Sequence, residues 1–441
     1  MRKKNFLSRH PHPVNNCTRI WFVNRFFYPD HSATSQILSD LAFHLVARGQ
    51  NVGVITSRDA YDDPSVTLPA FEKINGVAIN RVARSRFGRE KIIGRAVDYL
   101  GLYGAFAAAA TRLAKRGDWI VVKTDPPLLS AAIAPVAKAK GLRLVNWLQD
   151  LYPEVALGLG LEALKPFAPL LIAARDASLR AATRNIAIGE KMRERLIKSG
   201  VNPERVTVIP NWCDNERIRP LAAKDNPLRE AWGVGDKFVV GYSGNLGRAH
   251  EYQTLIEAAE HLRGETNIVF LFIGGGALTA GLKAEIEKRG LSPAFRFFPY
   301  QDARLLPQSL ALPDIHWISL RPEMEGLIVP SKFYGIAAAG RPTVAVADLR
   351  GEIATLVDTY DCGDAVVPGD SHRLAEIIRL YAYNPERKTR MGNSAREMLE
   401  RAFSRDFCLK RWENLFAEES PPQLAISPQV LITKPTAGAV S

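Results

Sequence analysis

The sequence predicts an α/β protein built from two doubly wound parallel-sheet domains, and three observations carry that expectation. Its 441 residues exceed what one hydrophobic core organises. A strand–loop–helix–strand pattern opens near residue 18 and starts again near residue 238. The short apolar runs end in polar or glycine-rich loops, where sheets of this kind hold their ligands.

The elements follow in order. Residues 18–24 read as a buried strand, and a polar loop with Tyr28-Pro29-Asp30-His31-Ser32-Ala33-Thr34 comes next. Ile37, Leu38, Leu41, Ala42 and Leu45 then recur at helical spacing over 35–47, stopped by Gly49, and 51–56 form the next strand. Residues 77–82 read as a strand and 92–115 as a long helix. Its apolar stretch 99–113, bounded by Asp98 and flanked by Arg95 and Arg112, is too broken to span a membrane and suits a buried or surface-lying helix. Strand 119–123 ends in Thr124-Asp125-Pro126-Pro127, and strand 142–148 in Gln149-Asp150-Leu151-Tyr152-Pro153-Glu154. Residues 155–184 are apolar with Lys165, Arg175, Arg180 and Arg184 interspersed, a candidate for membrane contact as well as for interior packing. Strands at 185–188 and 206–210, with a basic helix at 191–199, complete a first domain over 18–213. Residues 214–236 lack core periodicity and contain Pro220 and Pro227, so they read as a linker.

The second domain is expected over 237–400. Strand 238–242 leads into Ser243-Gly244-Asn245-Leu246-Gly247-Arg248-Ala249-His250, where glycines let the backbone approach a phosphate and Arg248 can clamp it. No G-K-[ST] follows, which argues against a P-loop. Strand 268–273 runs into Gly274-Gly275-Gly276, but Thr279 stands where a dinucleotide fingerprint needs its third glycine. In 323–346 a polar run with Ser331 and Lys332 enters an alanine-packed helix stopped by Gly340, then a buried strand. Free amides at the helix start, beside Lys332, make an anion site. Helices are expected near 279–289, 302–310, 351–358 and 371–382, and a last one over 386–418 broken at Phe403-Ser404. Residues 401–418 are read as a C-terminal helix, 1–17 as a flexible basic tail and 419–441 as a disordered one.

Charge narrows the partners. Residues 1–200 hold 30 Lys and Arg against 16 Asp and Glu, while the rest of the chain holds 28 against 30. A basic front half suits an anionic partner: a membrane surface or a pyrophosphate-linked lipid. Nucleic acid ranks last, because no basic–aromatic or zinc-finger pattern appears. Cys17, Cys213, Cys362 and Cys408 lie far apart with no C-x-x-C pair, pointing to a reducing compartment and no zinc site. Residues 1–17 show no apolar signal-peptide core.

Seven strings, in order along residues 20–400, carry a resemblance: L-A-F-H-L-V-A-R-G-Q-N-V-G-V-I-T (41–56), Q-D-L-Y-P-E (149–154), V-T-V-I-P-N-W-C-D (206–214), Y-S-G-N-L-G-R (242–248), F-I-G-G-G (272–276), V-P-S-K-F-Y-G-I-A-A-A-G-R-P (329–342) and G-D-A-V-V-P-G-D (363–370). Together they resemble the retaining family 4 glycosyltransferases of the two-domain GT-B type, within the subgroup of O-antigen and exopolysaccharide (colanic-acid-type) biosynthesis. The resemblance implies two Rossmann-like domains facing a cleft, with the C-terminal helix returning to the first domain. It also implies transfer from a nucleotide-diphosphate sugar to a lipid-linked (polyprenyl diphosphate) saccharide, at the inner face of the cytoplasmic membrane. Donor contacts are then expected from Gly244, Asn245, Gly247, Arg248, His250, Gly274, Gly275, Gly276, Glu325, Pro330, Ser331, Lys332 and Gly335, and acceptor contacts from His31, Ser32, Ala33, Thr34 and Asp125. Asp150 and Gln149 are the catalytic candidates, Gln149 standing where the family commonly has His.

The departures are specific. The loop's usual Arg and Lys fall on Asn245 and His250, so Arg248 and Lys332 are the candidates to replace them. The family's E-x(7)-E glutamates fall on Leu327 and Gly335, which leaves Glu325 or Glu323 for the donor sugar. No D-x-D triplet occurs, so a metal-free reaction without a cofactor is expected, cations and helix starts carrying the leaving diphosphate. A nucleotide-sugar epimerase of the same fold and an inactive assembly subunit stay open as alternatives.

Overall fold

The computed structural model describes residues 18–30, 32–60, 66–83 and 92–417, with side chains in the last stretch from residue 98. His31 and both tails lie outside the described residues.

The first sheet contains β1 (Arg19–Val23), β2 (Asn51–Ser57), β3 (Phe71–Ile74), β4 (Val77–Val82), β5 (Trp119–Lys123), β6 (Arg143–Trp147), β7 (Arg184–Ala187) and β8 (Val206–Val208). Their order is β3-β4-β2-β1-β5-β6-β7-β8, parallel except for the β3–β4 hairpin. That hairpin turns on Asn75-Gly76 at φ 45° and 84°, the left-handed pair a two-residue turn needs. Central strands such as β5 are buried at every residue, as strands covered by helices on both faces must be. Helix Ala33–Ala47 lays Leu38, Leu41 and Leu45 on one face, and helix Ile92–Leu113 lays Leu102, Phe106 and Ala110 on the other. One face of the apolar stretch 99–113 is therefore interior packing, while Leu100 on the other face is 68% exposed, and no described helix is long and apolar enough to cross a membrane.

The second sheet contains β9 (Phe238–Asn245), β10 (Ile268–Gly275), β11 (Phe295–Phe298), β12 (Ile315–Ser319), β13 (Thr343–Val346) and β14 (Gly363–Val366), all parallel, in the order β11-β10-β9-β12-β13-β14. The stretch before it does more than link. Leu228 and Val234 are buried with Val239 and Leu271, and Trp232 stacks on Phe298 at 4.1 Å. The helix that carries Leu228, Pro227–Ala231, is five residues long, too short to show a periodicity.

The chain then returns to the first lobe. Helix Pro385–Met398 passes through a π turn, Leu399–Phe403, into helix Arg405–Phe416. Trp412 packs 4.7 Å from Trp147, and Arg405 Nε donates to Asp40 Oδ2 at 2.8 Å. Leu151, Met192 and Leu196 of the first lobe share one core with Met324, Leu327 and Phe333 of the second, so the lobes meet through an apolar junction.

Candidate functional site

The carboxyl end of the second sheet is made of glycine turns. β9 and β10 stay in register to their last residues, Gly244 opposite Gly274 and Asn245 opposite Gly275. Gly244, Gly274 and Gly276 hold φ of 127°, 119° and 137°, a region that suits glycine. A Cβ on Gly274 would stand 2.4 Å from Gly244 O, and one on Gly276 2.4 Å from Leu246 O, so each turn presses on the other's main chain. Gly247 and the exposed Arg248 continue the loop to His250, and the Arg248 carbonyl accepts from Arg321 at 3.3 Å.

Lys332 enters this cluster from the first turn of helix Lys332–Ala338. Its Nζ donates to the Tyr242 hydroxyl at 2.8 Å and to His250 Nε2 at 3.0 Å, and lies 4.5 Å from the Tyr242 ring centre. Tyr242 donates onward to Asn245 O at 2.7 Å. His250 Nδ1 meets Ser319 O, so the proton belongs on Nδ1 and the Nε2 lone pair is left for Lys332. Burial pushes Lys332 down to about 7. Burial, with the Lys332 charge added, holds His250 at about 4. Among the described residues no carboxylate pairs with Lys332, and the partners that hold its ammonium are uncharged. A cation placed so is stabilised by any anionic group that supplies the counter-charge, and otherwise sheds its proton readily.

Other predicted donor residues have different tasks. Glu325 accepts the Glu352 N–H at 2.7 Å and so caps helix Glu352–Thr359, which commits its carboxylate to that amide. Glu323 pairs with Arg321 on the surface. Gly335 is buried, with Leu310 Cδ1 3.3 Å from where its Cβ would be, so it serves helix packing. Ser331 is exposed and its hydroxyl makes no capping bond, while Pro330 is buried.

The first lobe contributes a second cluster, at the carboxyl ends of β5 and β6 and the start of helix Ala33–Ala47. Lys123 is 2% exposed, donates to Thr34 O at 2.9 Å, and sits 4.1 Å from the Trp147 ring centre. Thr34 Oγ1 reaches Asp125 Oδ2 at 3.5 Å. Burial raises the Asp125 carboxyl against the pull of Arg25 and Lys123. Burial and the Asp125 charge push Asp150 up to about 6, with Lys123 pulling it back. Tyr99 and Tyr103 stack at 6.2 Å beside these acids, and Arg25 lies 5.9 Å from the Tyr99 ring centre. Asp150 thus belongs to a coupled set of charges suited to holding a hydroxyl or taking its proton.

Gln149 does not join it. Its amide exchanges two bonds with Asn211, at 3.1 and 2.8 Å, which ties the end of β6 to the segment after β8. Ser32 is the N-cap, accepting Ser35 N at 3.3 Å, and Ala33 is the first helical residue. Sequence reasoning missed Lys123, Arg25, Tyr99 and Tyr103. A lysine closing the apolar run W-I-V-V-K was the one available signal.

One backbone bond connects the segments that carry the two clusters. Leu151 N, adjoining Asp150, donates to Leu327 O at 3.0 Å across the lobes, and Leu327 lies shortly before Lys332. A cavity of about 390 Å³ lined by Arg229, Lys237, Asp314 and Lys388 opens instead at the amino ends of β9 and β12 and holds none of the predicted site residues.

Two Rossmann-like lobes joined in this way are the architecture of the GT-B class of glycosyltransferase. Residues 33–212 match the family model described as glycosyl transferase 4-like domain, and residues 225–398 that of glycosyl transferases group 1. WcaI of Escherichia coli (strain K12), assigned to colanic acid biosynthesis as a glycosyl transferase, is 30% identical over 285 residues, 63% of this chain and 69% of WcaI. WbjE of Pseudomonas aeruginosa, assigned as a glycosyltransferase, is 25% identical over 362 residues, 82% of this chain and 88% of WbjE. Among solved structures, Anabaena HepE in complex with UDP superposes with a TM-score of 0.70 at 17% identity, covering 91% of this chain and 100% of HepE. WaaG, a glycosyltransferase involved in lipopolysaccharide biosynthesis, gives 0.66 at 16% identity, covering 91% and 100%. The chain belongs to this glycosyltransferase family.

Proposed function

We propose that this glycosyltransferase moves a sugar, with retention of anomeric configuration, from a nucleotide-diphosphate sugar to a saccharide on a polyprenyl diphosphate during surface polysaccharide assembly. The observation that carries the reading is Lys332, an ammonium held among the described residues only by the Tyr242 hydroxyl and His250 Nε2, beside three glycine turns. A diphosphate there gains the missing counter-charge, and Lys332 with Arg248 takes up the charge that develops as it leaves, with no metal required. Likeness to UDP-bound HepE and relationship to WcaI and to the O-antigen chain mannosyltransferase C of Escherichia coli support the donor and polymer classes. Asp150, ionised above about pH 6, orients the acceptor hydroxyl, whose proton passes to the departing phosphate. The basic first lobe, with Leu161, Phe167 and Leu170 exposed by 49%, 59% and 70%, meets the inner face of the cytoplasmic membrane.

The test incubates purified protein with labelled UDP- and GDP-sugars and a membrane extract, with and without EDTA. Label entering the lipid fraction in both conditions is expected, and nuclear magnetic resonance of the product reads the anomeric configuration. Interconversion of the free sugar nucleotides without incorporation would instead identify an epimerase and end the transfer reading.

A further inference from the structure

Two carboxylates join the lobes in series. Glu325, in the strap between β12 and helix Lys332–Ala338, accepts the backbone N–H of Glu352 at 2.7 Å. Glu352 then reaches across the junction, its Oε2 accepting Lys191 N at 2.8 Å in the first turn of helix Glu190–Lys198 of the first lobe. Each acid therefore meets free amides at a helix start, where the helix dipole favours negative charge. Glu352 is 8% exposed, so its bond is shielded from water.

The surroundings leave no slack. A Cβ on Gly189 would lie 2.6 Å from the Glu352 carboxyl carbon, and one on Gly351 2.4 Å from Glu325 Oε2. A Cβ on Gly326 would lie 2.8 Å from Arg195 Nε, which donates to Glu325 O at 2.8 Å. The same strap gives Leu327 O to Leu151 N at 3.0 Å. One short segment thus has Lys332 at one end and, through a cross-lobe bond, the neighbour of Asp150 at the other.

We propose that Glu352 is a positioning residue for glycosyl transfer: by fastening helix Glu190–Lys198 to the strap it fixes how the donor cluster at Lys332 registers against Asp150. This rests on the reading that donor and acceptor occupy those two clusters. Glu352 contacts neither Lys332 nor Asp150, so its effect falls on the alignment of bound substrates and not on donor affinity.

The test uses the full chain carrying E352A, E352Q or G189A. UDP-glucose binding is measured by calorimetry, turnover with whichever sugar nucleotide labels the lipid fraction, and the radius of gyration by small-angle scattering. E352A is expected to lose about a hundredfold in kcat, the scale of an ångström-size misalignment, with donor Kd within about twofold of wild type and a larger radius. E352Q, whose amide oxygen still accepts the N–H bond, recovers most of the rate. G189A keeps the glutamate but fills its seat, and repeats E352A. The proposal is overturned if E352A and G189A keep kcat, or if donor affinity falls in step with it. Scattering needs no turnover: unchanged dimensions in both variants overturn it also, whereas absent transfer in the wild type counts against the transferase reading alone.

Discussion

Lys332 makes donor binding a proton-linked event, and replacing it by methionine tests this while keeping most of the side-chain volume. Its ammonium titrates at about 7 against an ordinary 10.5, because burial penalises the charge. That gap corresponds to about 5 kcal/mol of cost for charging the empty site. A sugar diphosphate offsets the cost by supplying the counter-charge, so the bound amine stays protonated well above pH 7. Binding then takes up about 0.9 of a proton at pH 8 and almost none at pH 6, and the association constant falls about tenfold per pH unit above 7. A sugar diphosphate has no proton of its own to gain in this range, and His250, held at about 4, stays neutral. Calorimetry with UDP-glucose in buffers of different ionisation enthalpy measures the uptake directly. K332M is expected to bind about 150-fold more weakly, a loss of about 3 kcal/mol for one buried charge contact, with no proton uptake at any pH. Without ligand the sign reverses. The folded value lies below the unfolded one, so the charge burdens the fold fully below pH 7 and fades towards pH 10.5, and K332M should melt higher than wild type at pH 6. Zero proton uptake at pH 8, with K332M binding UDP-glucose as wild type does, would refute the reasoning.

In the first lobe, kcat/KM for the acceptor should rise with pH and level off near 6 as Asp150 ionises. D150N should abolish that limb and cost about a hundredfold or more, whereas K123M should move the inflection to higher pH, and an unmoved inflection would sever Lys123 from Asp150. G274A, which needs φ of 119° and 2.4 Å from Gly244 O, should weaken UDP-glucose binding by about tenfold or more through strain of about 1–3 kcal/mol; wild-type affinity would place the donor elsewhere. W412A should cost about 3–5 kcal/mol in urea unfolding, since the ring is fully buried against Trp147 and Phe416.

What the sequence alone makes legible follows from the range of each interaction. Buried parallel strands read as apolar runs, so β1, β5 and β10 stand out in the chain. β3 reads F-E-K-I, half-exposed and antiparallel at the sheet edge, and passes unnoticed although Asn75-Gly76 marks its turn. Helix Leu129–Lys140 also escapes, with Leu128 at φ 61° before it and Pro135 inside. At the site, the glycine turns and Lys332 are local features and were legible. The bond from Gln149 to Asn211 and the use of Glu325 as a helix cap join residues far apart in the chain, which spacing cannot reveal. Lys123 looked like a strand end because its ring and carbonyl partners come from β6 and from the first long helix.

The chain passes between the lobes twice, and the passages are stitched side by side. Arg405 N bonds Asn215 Oδ1 at 3.1 Å, and Arg396 Nη2 bonds Asn215 O at 3.0 Å. Two separated tethers would define an axle and permit rotation about that line alone. Adjacent tethers act as a single pivot, which leaves torsion as well as bending open, so resistance to twisting has to come from a fastening some distance away, such as the Leu151–Leu327 bond. A cut before Ser404 leaves a single chain passage between the lobes, and their alignment then rests on the shared apolar core and the Leu151–Leu327 bond.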